Sequence, residues 1–215
     1  MNNIKIAVVG GVEVGKTSLL NVYTKSEFDP KKQYVPTIYD SAETRVNIDG
    51  HNIEVNILDT SGSDEYKQLR PMSYSGVDLF LICYSVADIK SYEKVKECVA
   101  EVRQHAPNKD IVLVGTKTDL RDCQNTMDRL RSEGLIPLYQ SQGESKSAEV
   151  HAAKYYECSS KNSSSVRKMF EESIRLVIQK HEKSRSPQKT KKRISFTKIK
   201  RLSLFSVTSE ESTGF

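Results

Sequence analysis

The chain has 215 residues, room for one domain with a sizeable core and an appendage. It is 37% hydrophobic and 28% charged, the balance of a soluble globular protein, and no apolar run approaches the roughly 20 residues a membrane helix needs. The net charge of +5 is unevenly placed: nine of the 33 basic and two of the 28 acidic residues fall in 183–215, so a tail of +7 follows a domain of −2. The expected division is therefore a folded domain over 1–182 and a basic, disordered tail over 183–215. No signal peptide is expected ahead of the first strand-like run. The four cysteines show neither paired nor metal-ligand spacing, which fits free thiols and a cytoplasmic protein.

In chain order, the apolar run 4–9 predicts a strand that ends at a glycine loop. "ETRVNI" and "IEVNILD" alternate about the turn "DGHN" and predict a hairpin. "LFLICY" and "IVLVG" read as buried central strands, and "KYYEC" as a shorter one. Residues 90–105 and 164–182 carry apolar residues at helical spacing; Val166, Met169, Phe170, Ile174, Val177 and Ile178 make the clearest stripe. Strands alternating with helices predict an open, mostly parallel sheet covered on both faces. Ligands on such sheets bind beyond the carboxyl ends of the strands.

The first strand runs into Gly-x-x-x-x-Gly-Lys-Thr, with Gly10, Gly11, Val12, Glu13, Val14 and Gly15 leading to Lys16, Thr17 and Ser18. Backbone N–H groups of such a loop, with the helix N-terminus behind it, form an anion site. Lys16 is placed for β- and γ-phosphates and the Thr17 hydroxyl for Mg²⁺. Asp59 closes an apolar strand beside that loop; alone it is equally a loop cap, but beside a phosphate loop it suits Mg²⁺. Gly62 allows its N–H to approach a γ-phosphate. "GTKTD" places Asp119 after a strand, where its carboxylate can accept both N1–H and the 2-amino group of guanine, a donor pair adenine lacks. "ECSSK", 157–161, follows the last strand and offers a backbone N–H to the guanine oxygen.

With "YVPTIYD", "DTSG", "YKQLRPMSYSGVDLFLICYSV", "LVGTKTDLRD" and "YYECSS", the chain resembles the Rho/Rac branch of the Ras-superfamily small GTPases over about residues 3–179. The resemblance implies an α/β P-loop NTPase fold, with a six-stranded, mostly parallel sheet, five helices and a helical insertion at 123–137. It implies GTP/GDP and Mg²⁺ as ligands, with Thr17, Thr37 and Asp59 on the metal and Tyr34 over the phosphates. Phe28, Thr116, Lys117, Leu120, Ser159, Ser160 and Lys161 would surround the guanine with Asp119. Two switches, 29–40 and 61–74, would carry the effector positions Tyr39, Asp40, Tyr66 and Leu69. Effectors and exchange factors are the implied partners of a monomer that binds no nucleic acid.

Three departures from the family bear on activity. The family has Gly at position 12, because a side chain there intrudes on the γ-phosphate, the attacking water and an activator's arginine finger; this chain has Val12. The family's water-positioning Gln is replaced by Ser63, too short for that task. An arginine finger alone is worth roughly 10³ to 10⁵ in rate, so losing both devices predicts slow or absent hydrolysis with binding kept. Glu13 is tolerated, since heterotrimeric G-protein α subunits carry Glu there. Finally, 28–37 is two residues longer than in most Rac sequences, which predicts a looser first switch, and Ala42 replaces an aromatic effector residue. The expected function is a guanine-nucleotide switch held mainly in the GTP form, possible roles being actin or polarity signalling; the alternative is a pseudo-GTPase scaffold with nucleotide as structural cofactor.

The family's C-terminal prenylation box has no counterpart in "ESTGF", and Asn2 stands where myristoylation needs Gly. Instead, 191–205 mixes six basic and six apolar residues, with Ile194, Ile199, Leu202 and Phe205 on one arc of about 140° if helical. Ser195 and Ser203 lie in basophilic phosphorylation contexts. Two readings stay open: an anionic-membrane anchor at a cytoplasmic face, or a solvated tail or nuclear-localisation patch.

Overall fold

The computed structural model describes residues 3–29 and 35–185. Tyr34 and the tail serines Ser195 and Ser203 lie outside the described residues. Six strands form one sheet in the order β2-β3-β1-β4-β5-β6: β1 (Asn3–Gly10), β2 (Tyr39–Ile48), β3 (His51–Thr60), β4 (Leu79–Ser85), β5 (Asp110–Thr116) and β6 (Lys154–Glu157). Only the β2–β3 pair is antiparallel. Its two-residue turn has Asp49 at φ 52° and Gly50 at φ 84°, the double positive φ of a tight hairpin that matches strand twist.

The parallel strands are apolar on both faces because both are covered. Ile4, Ile6 and Val8 of β1 point with Leu79, Leu81 and Cys83 of β4 into one core. That core is closed by α1 (Lys16–Lys25) and α6 (Ser163–Arg185) through Leu19, Leu20, Val166, Met169 and Phe170. Ala7, Val9, Phe80 and Ile82 point the other way, against Val95, Val99 and Val102 of α3 (Val95–His105). The period of two along each strand makes this division, and each fully buried Ile, Leu or Phe contributes about 1.5–3 kcal/mol. The predicted stripe on α6 is the one that docks.

Five α-helical segments lie outside the expected insertion among the described residues and a sixth within it. Helix α2 (Ile89–Glu93) leads directly into α3, with α4 at Gln124–Ser132 inside the expected insertion and α5 at Gln140–Glu149. Between β3 and β4 there are only two short 3₁₀ turns, Asp64–Tyr66 and Arg70–Ser73. Helix α6 continues past the expected 182/183 boundary to Arg185.

Candidate functional site

The loop after β1 crosses the carboxyl ends of the strands, as the topology requires. Gly10 ends β1, Gly11 and Val14 are buried, and Val12 and Glu13 form the exposed crest, Val12 being 42% accessible. Glu13 at φ 57° and Gly15 at φ 96° are left-handed; these two residues turn the chain sharply enough for α1 to start at Lys16. A cleft of about 390 Å³ opens above the loop, lined by Lys16, Thr17, Ser18, Thr37, Gly62 and Lys117 among others. Its size is in the range of small-ligand sites.

Lys16 is 7% exposed, and its Nζ donates to the carbonyls of Gly10 (3.1 Å) and Gly11 (2.6 Å). Burial lowers its pKa, which the charge of Asp59 partly offsets. A buried ammonium held by carbonyls, facing a cleft, suits a phosphate. The Thr17 hydroxyl donates to Asp59 Oδ2 (2.5 Å) and lies 3.1 Å from the Thr37 hydroxyl. Asp59 is fully buried, its Oδ1 has no hydrogen-bond partner among the described residues, and burial raises its pKa. A buried, half-satisfied carboxylate is costly unless a cation completes it. Two hydroxyls and a carboxylate are the hard oxygen donors that Mg²⁺ takes, so the three residues fit that ion.

Gly62 is pressed against the phosphate loop. A Cβ there would lie 2.3 Å from the Gly11 carbonyl oxygen and 2.6 Å from the Val12 nitrogen, a distance no side chain tolerates. The hydroxyl of the next residue, Ser63, accepts from Glu65 N (3.3 Å) and caps the first 3₁₀ turn. A network invisible to local sequence patterns holds this segment. Arg70 donates to the carbonyls of Ser61 and Ser63 (both 3.1 Å) and makes a two-pronged bond to Glu101 on α3 (3.1 and 2.7 Å). Tyr74 also donates to Glu101 (2.6 Å), and the Arg70 and Glu101 side chains are each only 7% exposed.

The second half of the site lies beyond β5 and β6. The buried Thr116 hydroxyl lies within hydrogen-bond distance of two carbonyls, Val14 (2.5 Å) and Tyr84 (2.9 Å), and its single proton shared between them ties the phosphate loop to the sheet. Lys117, left-handed at φ 58°, runs along the cleft wall with its pKa lowered by burial. Thr118 to Leu120 form a 3₁₀ turn that presents Asp119. The Asp119 carboxylate accepts from Ser159 Oγ (2.5 Å) and pairs with Lys161 Nζ (2.8 Å). Burial opposes its ionisation, but these two partners prevail and hold its pKa below the usual carboxylate range. Ser160, half-buried, follows Ser159 on the same loop, and Phe28, 39% exposed, lines the cleft from the other side.

Three of the four expected effector positions share a groove. Tyr39, Tyr66 and Leu69 line it together with Ile38 and Met72. Ile38 is 59% and Met72 78% exposed; sequence reasoning passed over both. Asp40 is exposed outside that groove, paired in register with Asp59.

A strand–loop–helix anion cradle, a hard-oxygen cluster beside it, and a carboxylate held between two loops define a nucleotide-binding protein of the P-loop class. Residues 5–179 match the Ras family, so the chain belongs to that family and is a GTP-binding small GTPase.

Proposed function

We propose that the chain is a Rho/Rac-like switch held mainly in its GTP form, signalling to effectors through 35–40 and the groove between Tyr39 and Leu69. In this reading Lys16 binds phosphate oxygens, Thr17, Thr37 and Asp59 hold Mg²⁺, and Asp119 selects guanine. Mg²⁺ supplies charge neutralisation of the phosphates when bound; the chain's own residues orient the nucleotide and exclude side reactions. The observation that carries the proposal is Ser63. Its side chain stands where the family has Gln, is too short to reach the same place and accepts a cap bond from Glu65 N, while Val12 stands exposed at the loop crest. The cluster of Thr37 with Thr17 and Asp59 favours a switch over a scaffold, since a scaffold has no need to bring the first switch to the metal. The Rho/Rac assignment rests on the motifs and on helix α4 following "TKTD".

Single-turnover GTP hydrolysis tests it. Wild type is expected at or below the ~10⁻⁴ s⁻¹ scale of unassisted turnover, and unresponsive to activating proteins. Val12→Gly with Ser63→Gln should restore turnover, and neither change alone should do so fully, because both act on one step. Rapid hydrolysis by wild type would overturn the proposal.

A further inference from the structure

We infer that Arg121 and Glu157 are positioning residues for guanine discrimination, locking the loop that carries Asp119 to the loop that carries Ser159 and Lys161. This deepens the guanine-site reading above and rests on it.

The two loops leave neighbouring parallel strands, with Gly115 of β5 in register with Glu157 of β6. Past that pair the β5–β6 ladder ends, and two backbone bonds continue the contact: Cys158 N to Gly115 O (2.9 Å) and a long one, Thr118 N to Cys158 O (3.4 Å). Arg121 follows directly on the 3₁₀ turn bearing Asp119. Its Nη1 and Nη2 meet Glu157 Oε2 and Oε1, both at 2.8 Å, and its Nε donates to Leu138 O (2.9 Å) at the approach to α5. The planar fork matched to a carboxylate fixes orientation as well as distance.

Glu157 is itself fixed. Its Oε1 accepts from the Tyr155 hydroxyl (2.7 Å), which is bonded to the Tyr84 hydroxyl (2.7 Å). Room for these groups is made by small neighbours: a Cβ at Gly143 of α5 would lie 2.0 Å from the Tyr155 oxygen. Burial opposes ionisation of Glu157, but Arg121 and Tyr155 outweigh it, so the carboxyl titrates below its usual range. The side chains are 23% and 14% exposed, well shielded from solvent screening.

Two ion pairs therefore span the same two loops in opposite senses. Asp119 of the first loop meets Lys161 of the second in the base site, and Arg121 of the first meets Glu157, the last residue of β6, from which the second loop leaves. A base that hydrogen-bonds Asp119 competes with the inner pair. The outer pair touches no base and keeps the loops in register while it does so.

The test is competition between GDP and IDP, which lacks the 2-amino group, on the full chain with Arg121→Ala, Arg121→Lys and Glu157→Gln. Wild type should prefer GDP. A misplaced carboxylate costs GDP more than IDP, so Arg121→Ala should release GDP about ten-fold faster or more and cut the GDP preference by a similar factor. Arg121→Lys, which keeps the charge and loses the fork, should fall between. Glu157→Gln keeps the shape and serves if Arg121→Ala does not fold. A lowered melting temperature with the GDP preference intact in every variant that folds would make the pair merely structural and overturn the inference. No GDP preference in wild type would instead overturn the guanine-site reading beneath it.

Discussion

Replacing Asp119 by Asn is expected to cost GTP about two to four orders of magnitude in affinity and to give the chain a preference for xanthine nucleotides. The carboxylate is an acceptor only, and it is held ionised by Lys161 and Ser159. Guanine offers it two donors, each bond to a charged group being worth about 1.5–3 kcal/mol, and 1.4 kcal/mol is a factor of ten. An Asn amide accepts from N1–H but turns an N–H toward the 2-amino group, two donors facing each other. Xanthine carries an oxygen there and restores the pair. The fold should survive, because Lys161 is 56% exposed and such pairs contribute little to stability. Equilibrium competition between GTP and XTP reads the outcome. A variant that still preferred GTP would remove Asp119 from base selection.

Glu101→Ala should destabilise the domain by about 3–5 kcal/mol, the cost of leaving one member of a buried pair alone. Arg70 would keep its charge at 8% exposure, with only the carbonyls of Ser61 and Ser63 for company. Replacing both residues, Arg70→Met with Glu101→Leu, should cost less than the single change, since no charge is then stranded. Urea unfolding at saturating nucleotide measures this, because bound ligand otherwise shifts apparent stability. The pH dependence has a definite sign. Burial would raise the Glu101 pKa, but the bonds from Arg70 and Tyr74 outweigh it and the folded value lies below normal. Its contribution is thus fully present above the unfolded pKa of about 4.3 and is lost as pH falls through the folded value. The gap between wild type and Glu101→Ala should therefore narrow below about pH 4. A loss under about 1 kcal/mol at neutral pH would mean the pair behaves as an exposed one.

What could be read from the sequence was what repeats locally. The hairpin announced itself through Asp49–Gly50, the central strands through unbroken apolar runs, and α6 through its stripe, and all of them hold core residues. The phosphate loop, Asp59 and the guanine loops were legible because their chemistry dictates residue types after strand ends, whereas Thr37 was reached only through the family resemblance. Helix α5 was not, because it buries only Gly143 and Ser147 and so has no apolar stripe. Nor were the two ion pairs behind the site: Arg70 and Glu101 are 31 positions apart, Arg121 and Glu157 36. No periodicity joins such partners; only the folded sheet does. The capping role of Ser63 was hidden for a different reason, since the same hydroxyl reads as a shortened Gln when the motif is compared with its family.

The nucleotide that co-purifies with the full chain tests most directly whether the switch is held on. Purified under Mg²⁺, denatured and analysed by anion-exchange chromatography, the protein should release mainly GTP if, as proposed, Val12 and Ser63 impair hydrolysis while Lys16, Thr17, Thr37 and Asp59 hold the triphosphate. Release of mainly GDP would contradict it.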